Sequence, residues 1–376
     1  MKHGMKALAA LLLTTAAAQA GGIDRTGQRF DGFFQPGNYV ELSFGMVSPS
    51  VSGTDLPLGP FPGGGSTGNV ASDYYAMSLM VKTDLNDRLS LAVVMDSPFG
   101  ADIAYGPGSV NLGGTSATVN TSAITGLMRY KFDGGFSVYG GVRVQKANAN
   151  VDLRGLAYGS LNGYSVKLDD ETATGYLVGV AYEKPEIALR AMLTYNSAVD
   201  GTFTATETYT TAGGAVIPLV TSETNVSSPQ SINLDVQTGV AEGTLVFGQI
   251  RWANWSQFIL SPTYFASKTG GASLTNFEDT YTYTLGVGHK FTDQWSGAAS
   301  VTFEPSGNPL VSPLAPTNGS IGFTLAGIYT QGNMKITTGI NYTQLGDAQA
   351  ETSDTARADF TDNSAFGIGV KIGYSF

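Results

Sequence analysis

Cysteine is absent from all 376 residues. No disulfide framework can form and no thiolate can bind a metal, so a chain of this kind in an oxidising compartment is held together by other means. Histidine is almost absent too: beyond His3 there is only His289. A barrel lipase or protease needs a histidine paired with a serine or carboxylates, and a metal site needs more ligands than one imidazole. The chain therefore reads as a non-enzyme, with no catalytic residues, no metal and no cofactor. Charge is scarce at 13% of residues, about half the usual globular share of roughly 25%. No stretch after residue 20 holds eighteen apolar residues in a row, which excludes a membrane-spanning helix.

The first twenty residues, MKHGMKALAALLLTTAAAQA, have a charged start, a short apolar stretch and a small-residue Ala18-Gln19-Ala20 end. This is the pattern of a secretory signal peptide (residues 1–20), with the mature chain expected to begin at Gly21. Lys2 and Lys6 are two of the 20 basic residues, which leaves 18 against 30 acidic ones and a net charge of −12. So acidic a chain has no cationic face for nucleic acid.

What is abundant is a period of two. Phe366, Ile368, Val370, Ile372, Tyr374 and Phe376 alternate with Gly367, Gly369, Lys371, Gly373 and Ser375. Tyr281, Tyr283, Leu285, Val287 and Phe291 share one face, and Thr282, Thr284, Gly286, Gly288 and Lys290 the other. Such alternation gives one apolar and one polar or tiny face. Fourteen segments of this type are predicted, at 38–48, 72–83, 88–105, 117–132, 135–150, 172–182, 186–204, 228–241, 244–259, 277–291, 294–304, 319–330, 333–346 and 363–376. Their connections alternate between tight turns and long loops, the long ones at 49–71, 106–116, 151–171, 205–227, 260–276, 305–318 and 347–362.

The predicted fold is all-β: a transmembrane antiparallel β-barrel of 14 strands, with short periplasmic turns, long extracellular loops and a short N-terminal lumen segment, in the bacterial outer membrane. In hydrocarbon every backbone N–H and C=O must be paired, so a sheet crosses only when it has no free edge. A soluble β-sandwich is the alternative, but the outward faces carry almost no charge. Tyr75, Tyr130, Phe136, Tyr176, Trp295, Tyr342 and Tyr374 fall near the ends of apolar faces, where aromatic girdles belong. Phe376 supplies the terminal aromatic expected of a barrel inserted by the barrel-assembly machinery, and the barrel is expected to be a monomer.

The polar parity holds Lys82, Arg88, Arg129, Lys131, Arg143, Arg190, Arg251, Lys290, Lys335 and Lys371, with Glu41, Asp96, Asp235 and Glu304. These fit a solvated interior of ion pairs, or a cationic interior that draws in an anionic head group. Two loops are greasy: Leu153, Leu156 and Tyr158 lie beside Arg154, and Ile217 and Leu219 lie in the next. Exposed apolar clusters mark a binding surface. Asp169-Asp170-Glu171 is a solvated acidic loop, or a contact to lipopolysaccharide through a cation. The segment SPFGADIAY, 97–105, keeps the alternation of a strand yet contains Pro98 and Gly100. Both weaken a β-ladder, which fits either an ordinary bulge at the rim or an opening in the wall.

SPFGADIAY, the stretch 228–258 ending in Trp255-Ser-Gln-Phe258, and the stretch 277–306 with Asp279, Tyr281 and Trp295 together resemble the FadL/TodX family of outer-membrane transporters. Residues 168–203 are similar as well, so the likeness covers most of 37–376. The resemblance implies a fourteen-stranded barrel that takes up long-chain fatty acids or other hydrophobic compounds, and since nothing in the sequence resembles a nucleotide site, transport is expected to need no energy source beyond diffusion. It implies capture by the outer loops and sideways release into the membrane through a kinked third strand, here Pro98, Phe99, Gly100 and Ala101. The kink would lie about ten residues above the start of its strand, roughly 25 Å along the barrel axis.

Family members carry a longer N-terminal hatch. Here residues 21–36, GGIDRTGQRFDGFFQP, form only a short plug before the barrel of 37–376. Phe30, Phe33 and Phe34 are expected to tuck inside and line a greasy pocket, and Arg143 and Arg154 to meet a carboxylate head group. The expected partners are hydrophobic small molecules, such as fatty acids and hydrocarbons, and outer-membrane lipids with lipopolysaccharide. A general diffusion porin for small polar solutes is the alternative function.

Overall fold

The structure, a computed structural model, describes residues 23–376. The signal peptide and the start at Gly21 lie outside the described residues.

Fourteen antiparallel strands close into a barrel. They are β1 (Tyr39–Ser50), β2 (Tyr74–Asp84), β3 in two arms (Leu89–Asp96 and Gly100–Ala104), β4 (Ser116–Lys131), β5 (Phe136–Asp152) and β6 (Tyr164–Lys184). Then come β7 in two arms (Leu189–Asn196 and Val199–Thr210), β8 in two arms (Val216–Ser228 and Ser231–Ala241), β9 (Thr244–Ala253) and β10 (Thr280–Lys290). The last are β11 (Trp295–Glu304), β12 (Ser320–Gln331), β13 (Met334–Leu345) and β14 (Ser364–Ser375). β1 and β14 close the ring, with Tyr39 opposite Ser375 and Ser50 opposite Ser364.

The period of two becomes a wall with two environments. Along β5, Val138, Val142 and Val144 face outward, while Ser137, Tyr139, Arg143 and Gln145 are buried in the lumen. The outward set meets hydrocarbon, and closure pairs the backbone that lipid could not. Tyr130, Phe132, Phe136, Phe291, Trp295 and Tyr374 stand outward at the short-turn end. His289 lies at the same end, with its Nδ1 2.8 Å from the Thr244 hydroxyl.

Several predicted loops are built structure instead. Strands β7 and β8 run far beyond the expected limits and leave only 211–215 as a connection, so the stretch 205–227 is mostly a hairpin. Strand β6 starts at Tyr164 rather than near 172. The hairpin Ala348–Thr352/Thr355–Phe360 joins Ser52–Asp55, Ser66–Asn69 and Leu310–Val311 in a five-stranded sheet over the outer mouth. The stretch 260–276 carries a short helix, Thr263–Thr269. In the other direction, β9 ends at Ala253, and Trp255–Gln257 is a 3-10 turn rather than strand. The cause is Asp279, whose carboxylate takes bonds from Trp252 Nε1, Asn254 Nδ2 and the Ser256 amide, bending the chain out of the ladder.

Candidate functional site

Strand β3 holds one residue too many for its neighbour. Asp96 lies opposite Ala123 and Gly100 opposite Asn120, so Ser97, Pro98 and Phe99 span the width of Thr121 and Ser122. An extra residue reverses which parity faces in. Below the break Val93 and Met95 point to lipid, each 45% exposed; above it Phe99, Ile103 and Tyr105 are buried, Phe99 at 3%. The odd-numbered apolar residues thus move from the membrane face to the lumen.

The same break unzips the wall. Strand β2 pairs with β3 only from Leu79–Met95 down to Asp84–Ser90. The upper arm of β3 pairs with β4. Beyond the break β2 and β3 have no ladder between them among the described residues, until Ala71 meets Ile103 near the outer rim. Tyr74 to Ser78 form one jamb of this gap, Asp96 to Asp102 the other.

The backbone left over by the break finds other partners. The Phe99 amide donates to Thr121 Oγ1 at 2.9 Å, and the Thr121 hydroxyl donates to the Phe99 carbonyl at 2.6 Å. The N-terminal segment supplies partners for Pro98 and Gly100. Gly100 N–H donates to the Ile23 carbonyl at 2.9 Å and Arg25 N–H to the Pro98 carbonyl at 2.8 Å, flanking the pair Asp24–Phe99. Arg25 Nε donates to the Gly100 carbonyl at 3.0 Å, and its guanidinium lies 3.6 Å from the centre of the Tyr74 ring. Residues 23–25 thus lie across the gap from inside.

Charge holds this plug in place. Asp24 and Arg251 form an ion pair at 2.8 Å with side chains 1% and 2% exposed. Arg29 meets Asp31 and Asp235, and Asp31 meets Arg190. Gln28 Oε1 accepts from Ser231. Most other interior cations have acidic partners of their own: Lys82 pairs with Asp84, Arg129 with Glu183 and Lys371 with Glu41. Lys146–Asp170 and Lys167–Asp169 pair on the outer strands. No group of three or more carboxylates or histidines among the described residues could hold a metal. At the outer edge, burial alone would raise the Asp279 carboxyl. The hydrogen bonds from Ser256, Asn254 and Trp252 outweigh burial and hold it below the ordinary carboxylate range.

Above the plug lies an apolar cavity of about 900 Å³ of empty space. Phe99 at the break and Ala101 of the upper β3 arm line it, with Ala117 and Val119 of β4, Ala149 and Val151 of β5, Leu168, Phe203, Trp255 of the 3-10 turn and Phe258 just after it. The Phe99 and Trp255 rings meet edge to face at 5.4 Å. Ile23, Ala101 and Leu314 line both this cavity and a second one, which also borders Tyr74 and Gly100 at the gap.

The sequence-predicted residues divide. Pro98 and Phe99 sit at the break, and Gly100 and Ala101 begin the arm beyond it. Phe30, Phe33 and Phe34 do tuck into the lumen, but they pack against Met80, Leu127, Tyr139 and Met192 in a solid cluster that contributes nothing to the cavity lining. Arg143 donates to Thr125 Oγ1 and Asn196 Oδ1. Arg154 is committed to the Leu153 and Tyr164 carbonyls and to Asp152 and Ser165. Leu153 is buried, and Tyr158 and Leu219 pack against the core that includes it; Leu156 and Ile217 project outward. Pattern reading missed Gln145, Glu171 and Trp255 as cavity residues. A bulge opposite Ala147–Ala149 turns Glu171 inward, and no sequence signal marks that bulge.

A closed outer-membrane barrel with a plugged lumen, an apolar chamber and an unpaired stretch of wall is a transport barrel, not a structural shell. The chain belongs to the outer-membrane transport protein family OMPP1/FadL/TodX, whose sequence profile matches residues 36–376, and so to a family of channels for hydrophobic compounds. Solved structures share the fold. A Pseudomonas aeruginosa FadL homologue is 14% identical, with a TM-score of 0.71 over 92% of each chain. The Pseudomonas putida toluene transporter TodX is 15% identical, with a TM-score of 0.66 over 96% of this chain and 97% of that one. The Ralstonia pickettii toluene transporter TbuX is 15% identical, with a TM-score of 0.61 over 92% and 91%. No curated protein sequence matches the chain.

Proposed function

We propose that this barrel takes hydrophobic small molecules, such as long-chain fatty acids or hydrocarbons, from the outer loops into the apolar cavity. It releases them sideways into the outer membrane between β2 and β3. The observation that carries this reading is the unpaired stretch between Tyr74–Ser78 and Asp96–Asp102, bordered by a cavity that shares Ile23 and Ala101 with the apolar chamber. An apolar solute gains about 25 cal/mol per Å² by staying out of water along this route, so its concentration gradient suffices to drive it. The lower lumen, filled by the Phe30, Phe33 and Phe34 cluster and by ion pairs, disfavours the open aqueous channel of a diffusion porin.

In this reading residues 1–20 are removed on export, 21–36 act as the plug and 37–376 form the barrel. Phe376 hands the chain to the assembly machinery, and the barrel works as a monomer among outer-membrane lipids and lipopolysaccharide. Passage requires Ile23–Arg25 to leave the gap. Asp24 and Phe99 lie opposite each other between two flanking backbone bonds, a spacing that accepts a disulfide. The double variant Asp24→Cys/Phe99→Cys tests the route in cells fed radiolabelled toluene. Oxidation is expected to stop uptake and reduction to restore it. Equal uptake in both states refutes the route.

A further inference from the structure

Among the described residues the apolar cavity has one buried acceptor without a partner. Besides Gln145 its lining includes five neutral side chains with hydrogen-bonding groups, of which Trp255 offers only a donor. Thr121 is committed to Phe99, and Thr275 donates to the Phe258 carbonyl. Asn148 donates to Asp170 and accepts from Asn120. Ser228 Oγ accepts from Gln145 Nε2 at 2.8 Å. Among the buried side-chain acceptors of this lining, Gln145 Oε1 is the one without a partner. The residue is 3% exposed, and this oxygen is buried without a hydrogen-bond partner. A buried acceptor left unmade is costly and is met, as a rule, by a donor from outside the chain. Among the described residues no lysine or arginine lines the cavity, and Glu171 is its single ionisable side chain.

We infer that Gln145 receives the hydroxyl of a neutral amphiphile, a long-chain alcohol or alkylphenol, and that the cavity turns away ionised carboxylates. An alcohol O–H donates to Gln145 Oε1 while its chain fills the apolar wall. A carboxylate has no proton to give, faces the negative Glu171, and loses its hydration with no cation to replace it. The inference rests on the reading of this cavity as the cargo site, and it narrows the cargo to uncharged molecules.

The test uses the full barrel in lipid nanodiscs, with quenching of tryptophan emission titrated by 1-decanol, decane and decanoate at pH 8. Decanol is expected to bind about tenfold more tightly than decane, the scale of one hydrogen bond to a buried acceptor, and decanoate more weakly than decanol. Gln145→Leu is expected to bring decanol down to the level of decane, and Glu171→Gln to strengthen decanoate binding. Decanoate binding as tight as decanol in the wild-type barrel overturns the inference, as does a decanol preference that survives Gln145→Leu in a barrel of normal heat-modifiable migration. Absence of binding by all three probes overturns the cargo site itself, and the anchor with it.

Discussion

Thr121 and Phe99 exchange two hydrogen bonds through a single hydroxyl: the Phe99 amide donates to it and it donates back to the Phe99 carbonyl. In an unbroken barrel these two backbone groups would belong to the ladder. Here the Thr121 side chain stands in for the backbone of β4, so the break at Ser97–Phe99 leaves neither Phe99 group unpaired. The break is thus a built feature with its own support, and it carries Phe99 inward against Trp255.

Removing that hydroxyl should weaken the kink. Thr121→Val leaves a buried N–H and C=O without partners, at about 1–3 kcal/mol for each group. The variant is expected to unfold at a lower temperature than wild type in a heat-modifiability series. Thr121→Ser, which keeps the oxygen, is expected to stay near wild type. Equal melting of all three proteins would show that Phe99 finds other partners.

The plug is anchored from one side by a buried ion pair, so its release should be visible electrically. Asp24→Ala strands the Arg251 guanidinium in the lumen, a change that costs about 3–5 kcal/mol for pairs this buried. Wild-type barrel in a planar bilayer is expected to stay closed to small ions, and Asp24→Ala to show a steady leak. A large open current from the wild-type barrel would instead favour the porin reading.

How much of this could be read from sequence depends on what each residue faces. The membrane strands were legible because lipid on one side and water or polar groups on the other force a strict period of two. Beyond the membrane that contrast fades. The hairpin of β7 and β8 runs through Thr204, Thr206 and Thr208 with no apolar face strong enough to announce a strand. Pro98 and Gly100 flagged the break, but not the parity reversal, which depends on counting residues against β4. The head-group site was sought among arginines, and Arg143 and Arg154 have protein partners. The residue inferred above to anchor cargo lies two positions beyond Arg143. On the inward parity of β5, Gln145 is the last polar residue before Ala147, Ala149 and Val151, the point where the lumen turns greasy.

Acid should loosen the outer turn at a pH set by Asp279. Its carboxyl titrates below the ordinary value in the folded barrel, so its bonds to Trp252, Asn254 and Ser256 contribute fully above the unfolded value near pH 4. That contribution is lost as pH falls from about 4 through the lowered folded value. Tryptophan emission is therefore expected to hold steady from neutral pH down to about 4 and to change below it. Asp279→Asn is expected to lack that acid transition. A midpoint above the ordinary carboxylate range would contradict the assignment.

Glu207 makes the last prediction, since it pins three elements at once. Its carboxylate accepts the Tyr164 hydroxyl at 2.7 Å and the amides of Tyr264 and Phe265 at 2.8 and 2.9 Å. The bonds fix the start of the helix Thr263–Thr269 against β6 and β7, where a negative charge also suits the helix N-terminus. Glu207→Ala removes all three, about 1.5–3 kcal/mol for each charge-assisted bond. The helix should then detach from the rim while the membrane strands stay closed. Trypsin is expected to cut after Lys268 in Glu207→Ala and to spare that bond in the wild-type barrel, with heat-modifiable migration the same in both. Resistance of the variant to trypsin would mean that the packing of Phe265 against Tyr164 holds the helix without the carboxylate.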